Sequence, residues 1–215
     1  MRTSFSLIVF DLDGTLVDTA EDIAVALNAT LLEAGFSTLP TAEVIGYVGD
    51  GAARLLQRAL PPINGADLPK LVQQFKTHYA ANVCVHSRLY PGVSELLARL
   101  AATTPLAVVT NKPGELARAL FQALGIAGLF RNIIGEGDGF PRKPAPDSIR
   151  WLLEQHHLVP GQALLVGDGL PDLQVGAAVG CPVAAAGWGY TQRQSLADAG
   201  ATYFLETPAD LAALL

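Results

Sequence analysis

The sequence predicts an α/β protein built on a doubly wound parallel sheet, with a helical unit inserted into it. Three observations predict this. Four short runs are almost continuously apolar, amphipathic helical stretches alternate with them, and one block of about 70 residues after the first run breaks the alternation.

The first run, Ser6-Leu7-Ile8-Val9-Phe10, is rich in β-formers and ends at Asp11-Leu12-Asp13-Gly14. Without a polar face, it reads as a strand buried on both sides. Residues 18–88 come next. Glu21–Ala34, Thr41–Val48, Ala52–Leu60 and Leu68–Ala81 are helical by their apolar spacing, with no convincing strand among them, and Pro61-Pro62-Ile63-Asn64-Gly65 is a turn. The block is entered near Asp18 and left near Tyr90-Pro91-Gly92. The alternation then resumes. Strands are expected at Leu106–Val109, Ala163–Val166 and Val183–Ala186. Helices are expected at Ser94–Leu100, Gly114–Leu124, Asp147–His157, Pro171–Val179 and Gln192–Ala199.

Composition narrows the function classes. Of 215 residues, 50% are hydrophobic and 16% charged, which excludes a disordered chain. The net charge is −6, and residues 3–53 account for all of it, with eight acids and no Lys or Arg. A basic nucleic-acid footprint is therefore not expected, and the clustered acids raise the question of a cation. Cys84 and Cys181 form no metal or disulfide spacing and read as two buried free thiols. The N-terminal apolar run is too short for a signal peptide, and the longest uncharged stretch, Leu173–Gln192, carries four glycines and a proline. A soluble cytoplasmic protein, without membrane or nucleic-acid partners, is the expectation. The four histidines fit no ligand motif.

Four motifs carry chemistry. Asp11 and Asp13, two residues apart in extended chain, project together from a strand's carboxyl end, where open α/β sheets bind ligands; the bland alternative is a charged turn. Gly14 allows an anion close to the backbone. Thr110 and Asn111 end a second strand just before a helix, where a hydroxyl and backbone N–H groups suit phosphate oxygens or serve as a polar cap. Pro144 and Pro146 stiffen the chain around Lys143, an anion-binding or merely solvated cation. Asp168 ends a third strand and Asp172 follows within one helical turn; helix capping is the alternative. Asp11, Asp13 and Asp168 supply about −3 when ionised, against +3 from Lys143 and Mg²⁺. A phosphate dianion then meets a roughly neutral pocket.

Taken together, Asp11-Leu12-Asp13-Gly14-Thr15, Thr110-Asn111, Lys143-Pro144 and Gly167-Asp168…Asp172 resemble the haloacid dehalogenase-like superfamily of phosphohydrolases, in order and spacing, over essentially the whole chain. The resemblance implies a Rossmann-like core at 1–17 and 89–215 and a helical cap at 18–88. It implies Asp11 as nucleophile forming an aspartyl-phosphate, and Asp13 as general acid and then base. Mg²⁺ is implied at the Asp11 carboxylate, the Asp13 backbone carbonyl and the Asp168 carboxylate. Thr110, Asn111 and Lys143 are implied to bind the phosphoryl group, with Asp172 supporting. Gly46–Ala53, Gln57–Leu60 and Tyr90–Val93 resemble the phosphoglycolate phosphatase branch, which places Gly49, Asp50 and Gly51 of the cap against the substrate. Gly169 departs from the pattern, since many relatives carry Ser or Thr there.

The implied function is a Mg²⁺-dependent phosphatase of a small phosphomonoester, 2-phosphoglycolate first, acting as a monomer or homodimer. A sugar-phosphate phosphatase, an inorganic pyrophosphatase and a hexose phosphomutase are alternatives on the same scaffold. A non-catalytic receiver-type phospho-acceptor is the alternative of another class; a paired D-x-D and a 70-residue insertion count against it.

Overall fold

The computed structural model describes residues 5–61 and 67–215. The first strand, β1 (Leu7–Phe10), is followed by a two-residue strand, β2 (Val17–Asp18). Four helices come next: α1 (Ala20–Glu33), α2 (Thr41–Ile45), α3 (Ala52–Ala59) and α4 (Leu68–Ala81). The chain returns through β3 (Arg88–Leu89), which pairs antiparallel with β2. This ribbon is where the chain crosses between the sheet and the four helices. The alternating part follows: α5 (Val93–Ala101), β4 (Leu106–Pro113), α6 (Gly114–Ala123), β5 (Asn132–Glu136), α7 (Asp147–Gln155), β6 (Ala163–Gly167), α8 (Leu170–Val179), β7 (Val183–Ala186), α9 (Arg193–Asp198), β8 (Tyr203–Leu205) and α10 (Pro208–Leu214).

Six strands form one parallel sheet in the order β5-β4-β1-β6-β7-β8. The chain starts at the sheet's middle, builds outward through β4 to β5, then crosses to build outward through β6. β1 is therefore flanked by two strands whose connections run in opposite directions. A crevice opens at the carboxyl ends of such strands.

The period-two alternation of buried strands explains the two faces. Ile8 and Phe10, Leu106 and Val108, and Leu164 and Val166 point to one side and pack with Leu97, Leu100 and Phe121 of α5 and α6. Leu7 and Val9, Ala107 and Val109, and Ala163 and Leu165 point to the other, against Ile149, Leu152 and Leu173 of α7 and α8. The four inserted helices enclose a third core of Leu27, Leu31, Val44, Leu56, Phe75 and Tyr79, joined by Leu116 of α6.

The expected helices and the four expected strands are present, and the parallel sheet is the expected one. Five elements were not expected: β2, β3, β5, β8 and α10. β5 and β8 are sheet edges, and Asn132-Ile133-Ile134-Gly135-Glu136 carries too few apolar residues to stand out. α10 begins at Thr207-Pro208-Ala209-Asp210, where the Asp210 carboxylate accepts from the Thr207 and Glu206 N–H groups. That pattern was legible as a helix start. The β2–β3 ribbon has only two residues a side, too few for any period. Cys181 is buried and free; Cys84 is free but only half-buried, so the expectation of two buried thiols holds for one. Pro62–Gly65 of the expected turn lie outside the described residues. No helix among the described residues is long and apolar enough to cross a membrane.

Candidate active site

Asp11 continues the β1 ladder by one residue, its N–H donating to the Val166 carbonyl at 2.8 Å. This fixes its side chain at the crevice between β4 and β6. Oδ1 accepts from the Leu12 N–H at 2.7 Å and lies 3.0 Å from Lys143 Nζ. Lys143 also reaches Asp172 Oδ1 at 2.6 Å, so one buried ammonium bridges two carboxylates. Asp172 is held in turn by the first turn of α8, where its Oδ2 accepts from the Gly169 N–H at 3.1 Å. Asp172 thus supplies one half of a capping box at the start of α8; Gly169 has no side chain for the other half, and the Asp172 N–H donates to the Gly169 carbonyl at 3.1 Å.

Asp168 leaves the end of β6 and is likewise buried. Thr15 Oγ1 donates to its Oδ1 at 2.9 Å, and the Tyr190 N–H to its Oδ2 at 2.8 Å. Two glycines make the room: a Cβ at Gly14 (φ +82°) or at Gly189 would run into the Asp168 side chain. Carboxylate oxygens of Asp11, Asp168 and Asp172 all lie within 4.8 Å of one another. Burial pushes the Asp11 carboxyl up to about 6, against the opposing pull of Lys143, and pushes Asp168 up to about 8, with the Asp11 charge adding to it. Carboxylates this short of positive charge fit a divalent cation, which binds oxygen ligands and relieves the repulsion. The three carboxylates can hold a metal.

The Asp13 side chain points elsewhere. Its Oδ1 accepts from Thr19 Oγ1 at 2.7 Å and from Lys112 Nζ at 2.9 Å. The charge balance read from Asp11, Asp13 and Asp168 is therefore corrected. Asp172 belongs to the carboxylate group, the Asp13 carboxylate does not, and a second buried cation, Lys112, enters the count. Burial opposes the Lys112 charge, but Asp13 and Tyr79 beside it together outweigh that and hold the ammonium above its ordinary value.

β4 runs unbroken through Thr110, Asn111 and Lys112 to Pro113, with its register to β5 shifting between Val109 and Pro113. Thr110 Oγ1 accepts from the Lys112 N–H at 3.2 Å. The Asn111 amide ties the helical insertion to the sheet domain, Nδ2 donating to the Gly49 carbonyl at 2.9 Å and to the Lys143 carbonyl at 3.1 Å. Gly49 and Gly51 line a small cavity of about 40 Å³ together with Asp11, Asp13, Thr110 and Lys112. Asp50 is not among its walls. Its carboxylate pairs with Arg58, and its carbonyl accepts from Arg142 at 2.9 Å, so it faces a wider basic bowl outside. Gly51 (φ +85°) has no room for a Cβ, with Arg142 Nη1 2.6 Å from where it would stand.

The histidines lie away from this centre: His78 and His86 sit beside Glu33 and Glu21, and His156 and His157 follow the end of α7. Sequence reasoning missed Lys112, Tyr79, Thr15, Thr19 and Tyr190. Lys112 was legible, since it shares the Thr110 side of an extended strand by the i, i+2 rule. Tyr79, near the end of α4, carries no local signal; only the folding of α4 over α6 brings it to the site.

A family model described as haloacid dehalogenase-like hydrolase matches residues 8–186. A phosphoglycolate phosphatase of Haemophilus influenzae is 34% identical, with 100% of both chains covered. One from Vibrio cholerae is 39% identical over 91% of this chain and 90% of its own. A Haemophilus somnus crystal structure, described as a predicted phosphoglycolate phosphatase, superposes with a TM-score of 0.91 at 33% identity, covering 98% of this chain and 97% of its own. The chain therefore belongs to the haloacid dehalogenase-like hydrolase family.

Proposed function

We propose that the protein is a Mg²⁺-dependent phosphatase that hydrolyses 2-phosphoglycolate through an aspartyl-phosphate on Asp11. One observation carries the reading: the Asp11 carboxylate, bridged by Lys143, stands at the wall of a small cavity roofed by the inserted helices. The similarity to phosphatases named for phosphoglycolate supports the substrate. We assign residues 18–88 to a cap and residues 1–17 and 89–215 to the core, dividing the chain at the β2–β3 ribbon.

Each residue then has a task. An Asp11 carboxylate oxygen bonds to phosphorus as the ester P–O bond breaks, and Asp13 gives its proton to the departing alkoxide oxygen. Water then bonds to phosphorus, Asp13 takes the water's proton, and the bond from Asp11 to phosphorus breaks. Lys143, Thr110 and the backbone around Asn111 hold the phosphoryl oxygens, and Asp172 keeps Lys143 in place. Asp11 and Asp168, with the Asp13 carbonyl, would hold Mg²⁺, which supplies charge neutralisation for a dianion entering a carboxylate-lined site. The cap keeps bulk water out.

Cavity size supports a short leaving group. The space beside Asp11 is only about 40 Å³, small for a hexose. A cytoplasmic setting accords with this metabolite-sized substrate. Phosphate release from 2-phosphoglycolate tests the reading. It should require Mg²⁺, stop on chelation and resume on adding the ion back; undiminished release in excess chelator contradicts it.

A further inference from the structure

The cavity contains two polar groups that the hydrolysis above does not use. Lys112 is 7% exposed and Tyr79 only 1%, and both line the cavity that holds Asp11 and Asp13. They come from opposite sides, Lys112 from the end of β4 and Tyr79 from cap helix α4, and the Lys112 ammonium sits 4.2 Å from the centre of the Tyr79 ring. A lysine ammonium has three N–H donors. Among the described residues, Lys112 Nζ has one acceptor, Asp13 Oδ1 at 2.9 Å. Among the described residues, the buried Tyr79 hydroxyl has no partner within hydrogen-bond geometry. The remaining neighbours include apolar Ile23, Leu55 and Phe75.

Unsatisfied buried donors are costly and are seldom left without a purpose. These donors surround a space too small for a large group. They are matched by an anion that accepts hydrogen bonds without donating any. Burial pushes the Tyr79 phenol up, so it remains protonated and able to donate. Position fixes which part of a substrate meets them. The ester oxygen that receives the proton must lie at Asp13, and Lys112 is bonded to Asp13. A group two bonds beyond that oxygen can therefore reach Lys112 and Tyr79, which line the same cavity.

We infer that Lys112 and Tyr79 form the subsite that reads the carboxylate of the leaving group, making the enzyme selective for short phosphorylated hydroxy-acids over neutral alkyl phosphates. The inference rests on the proposed phosphatase reading and adds to it the residues that choose the substrate. It also gives the cap a chemical role. Tyr79 reaches the site only when α4 packs over α6, so the carboxylate subsite is complete only with the cap seated.

The test is kcat/KM for 2-phosphoglycolate and for ethyl phosphate, which lacks the carboxylate, in wild type, Lys112→Met and Tyr79→Phe. Wild type should prefer 2-phosphoglycolate. Lys112→Met should shrink that preference by about 10- to 100-fold, the range for losing a charge-assisted hydrogen bond, and Tyr79→Phe by about 3- to 10-fold, mainly through KM. If Lys112 only steadies Asp13, both substrates lose equally and the ratio stays put, which overturns the subsite. Should Lys112→Met fail to fold, an unchanged ratio in Tyr79→Phe, a substitution that keeps the ring and its packing, overturns it by itself. A wild type without preference for the carboxylate overturns the substrate reading itself, and the subsite with it.

Discussion

At the residue scale, Lys143 determines what the acids can do. Among the described residues it is the one cation touching both Asp11 and Asp172, and it is itself buried. Removing a partner from a buried ion pair leaves an uncompensated charge, commonly costing about 3–5 kcal/mol. Lys143→Met should therefore both unfold more easily in urea and lose turnover, whereas a purely catalytic loss at full stability would contradict its bridging role. Asp11→Asn keeps the shape of the side chain but removes the nucleophile. It should fold normally and lose at least about 10⁴-fold in kcat, on the scale of other nucleophile deletions; retained turnover would refute the assignment. Gly14 is the third informative residue. Gly14→Ala drives a methyl into Asp168 at a backbone angle that L-residues avoid. The metal concentration giving half-maximal activity should rise by about 10- to 100-fold, as for other disturbed ligand surroundings; an unchanged value would place the metal away from Asp168.

At the scale of elements, the ribbon and its neighbours tie the inserted helices to the sheet. The Asp22 carboxylate on α1 accepts from the N–H groups of Val85, His86 and Ser87 and from the Ser87 hydroxyl, joining the first inserted helix to the returning chain. Asp22→Ala strands those donors and should cost about 1–3 kcal/mol, read by denaturant midpoint; no change would show that the tie is not needed. Shortening the loop around Gly46–Ala53 should alter substrate preference more than it alters hydrolysis of a small generic ester. Much of this scale was legible. The helices of the insertion declared themselves through apolar spacing, and the central strands through uninterrupted burial of residues such as Leu7–Phe10. The ribbon was not, because two residues a side carry no period. The edge strands β5 and β8 were not, because an edge needs fewer apolar side chains. At the site, the carboxylates, Thr110 and Lys143 stood out as residue types at strand ends. The direction of the Asp13 side chain and the arrival of Tyr79 could not be read, since both depend on how the cap lies on the sheet.

At the scale of the whole molecule, the acid-rich first quarter separates into unlike parts. Asp11 faces the carboxylates of Asp168 and Asp172, Asp13 pairs with Lys112, Asp22 fastens the inserted helices, and Asp50 pairs with Arg58 on the outer bowl. The buried acids also set a pH dependence. Asp11 and Asp168 hold protons in the folded state up to about 6 and 8, while an unfolded chain releases them near 4. Between those values the native state binds more protons than the unfolded one, so stability falls as pH rises. The melting temperature of the metal-free protein should decline from pH 5 to pH 8.5. Added Mg²⁺ should raise it, and by more at the higher pH, because the ion and the protons compete for the same oxygens. A melting temperature that climbs across this window without metal would contradict the burial of unneutralised acids. The central claim, an Asp11 phosphatase matched to a small carboxylate-bearing ester, is tested most directly by one comparison: kcat/KM with Mg²⁺ over a panel of phosphate esters, with Asp11→Asn as background. The account predicts the highest value for 2-phosphoglycolate and none above background in the variant. A sugar phosphate with a much higher kcat/KM would contradict it.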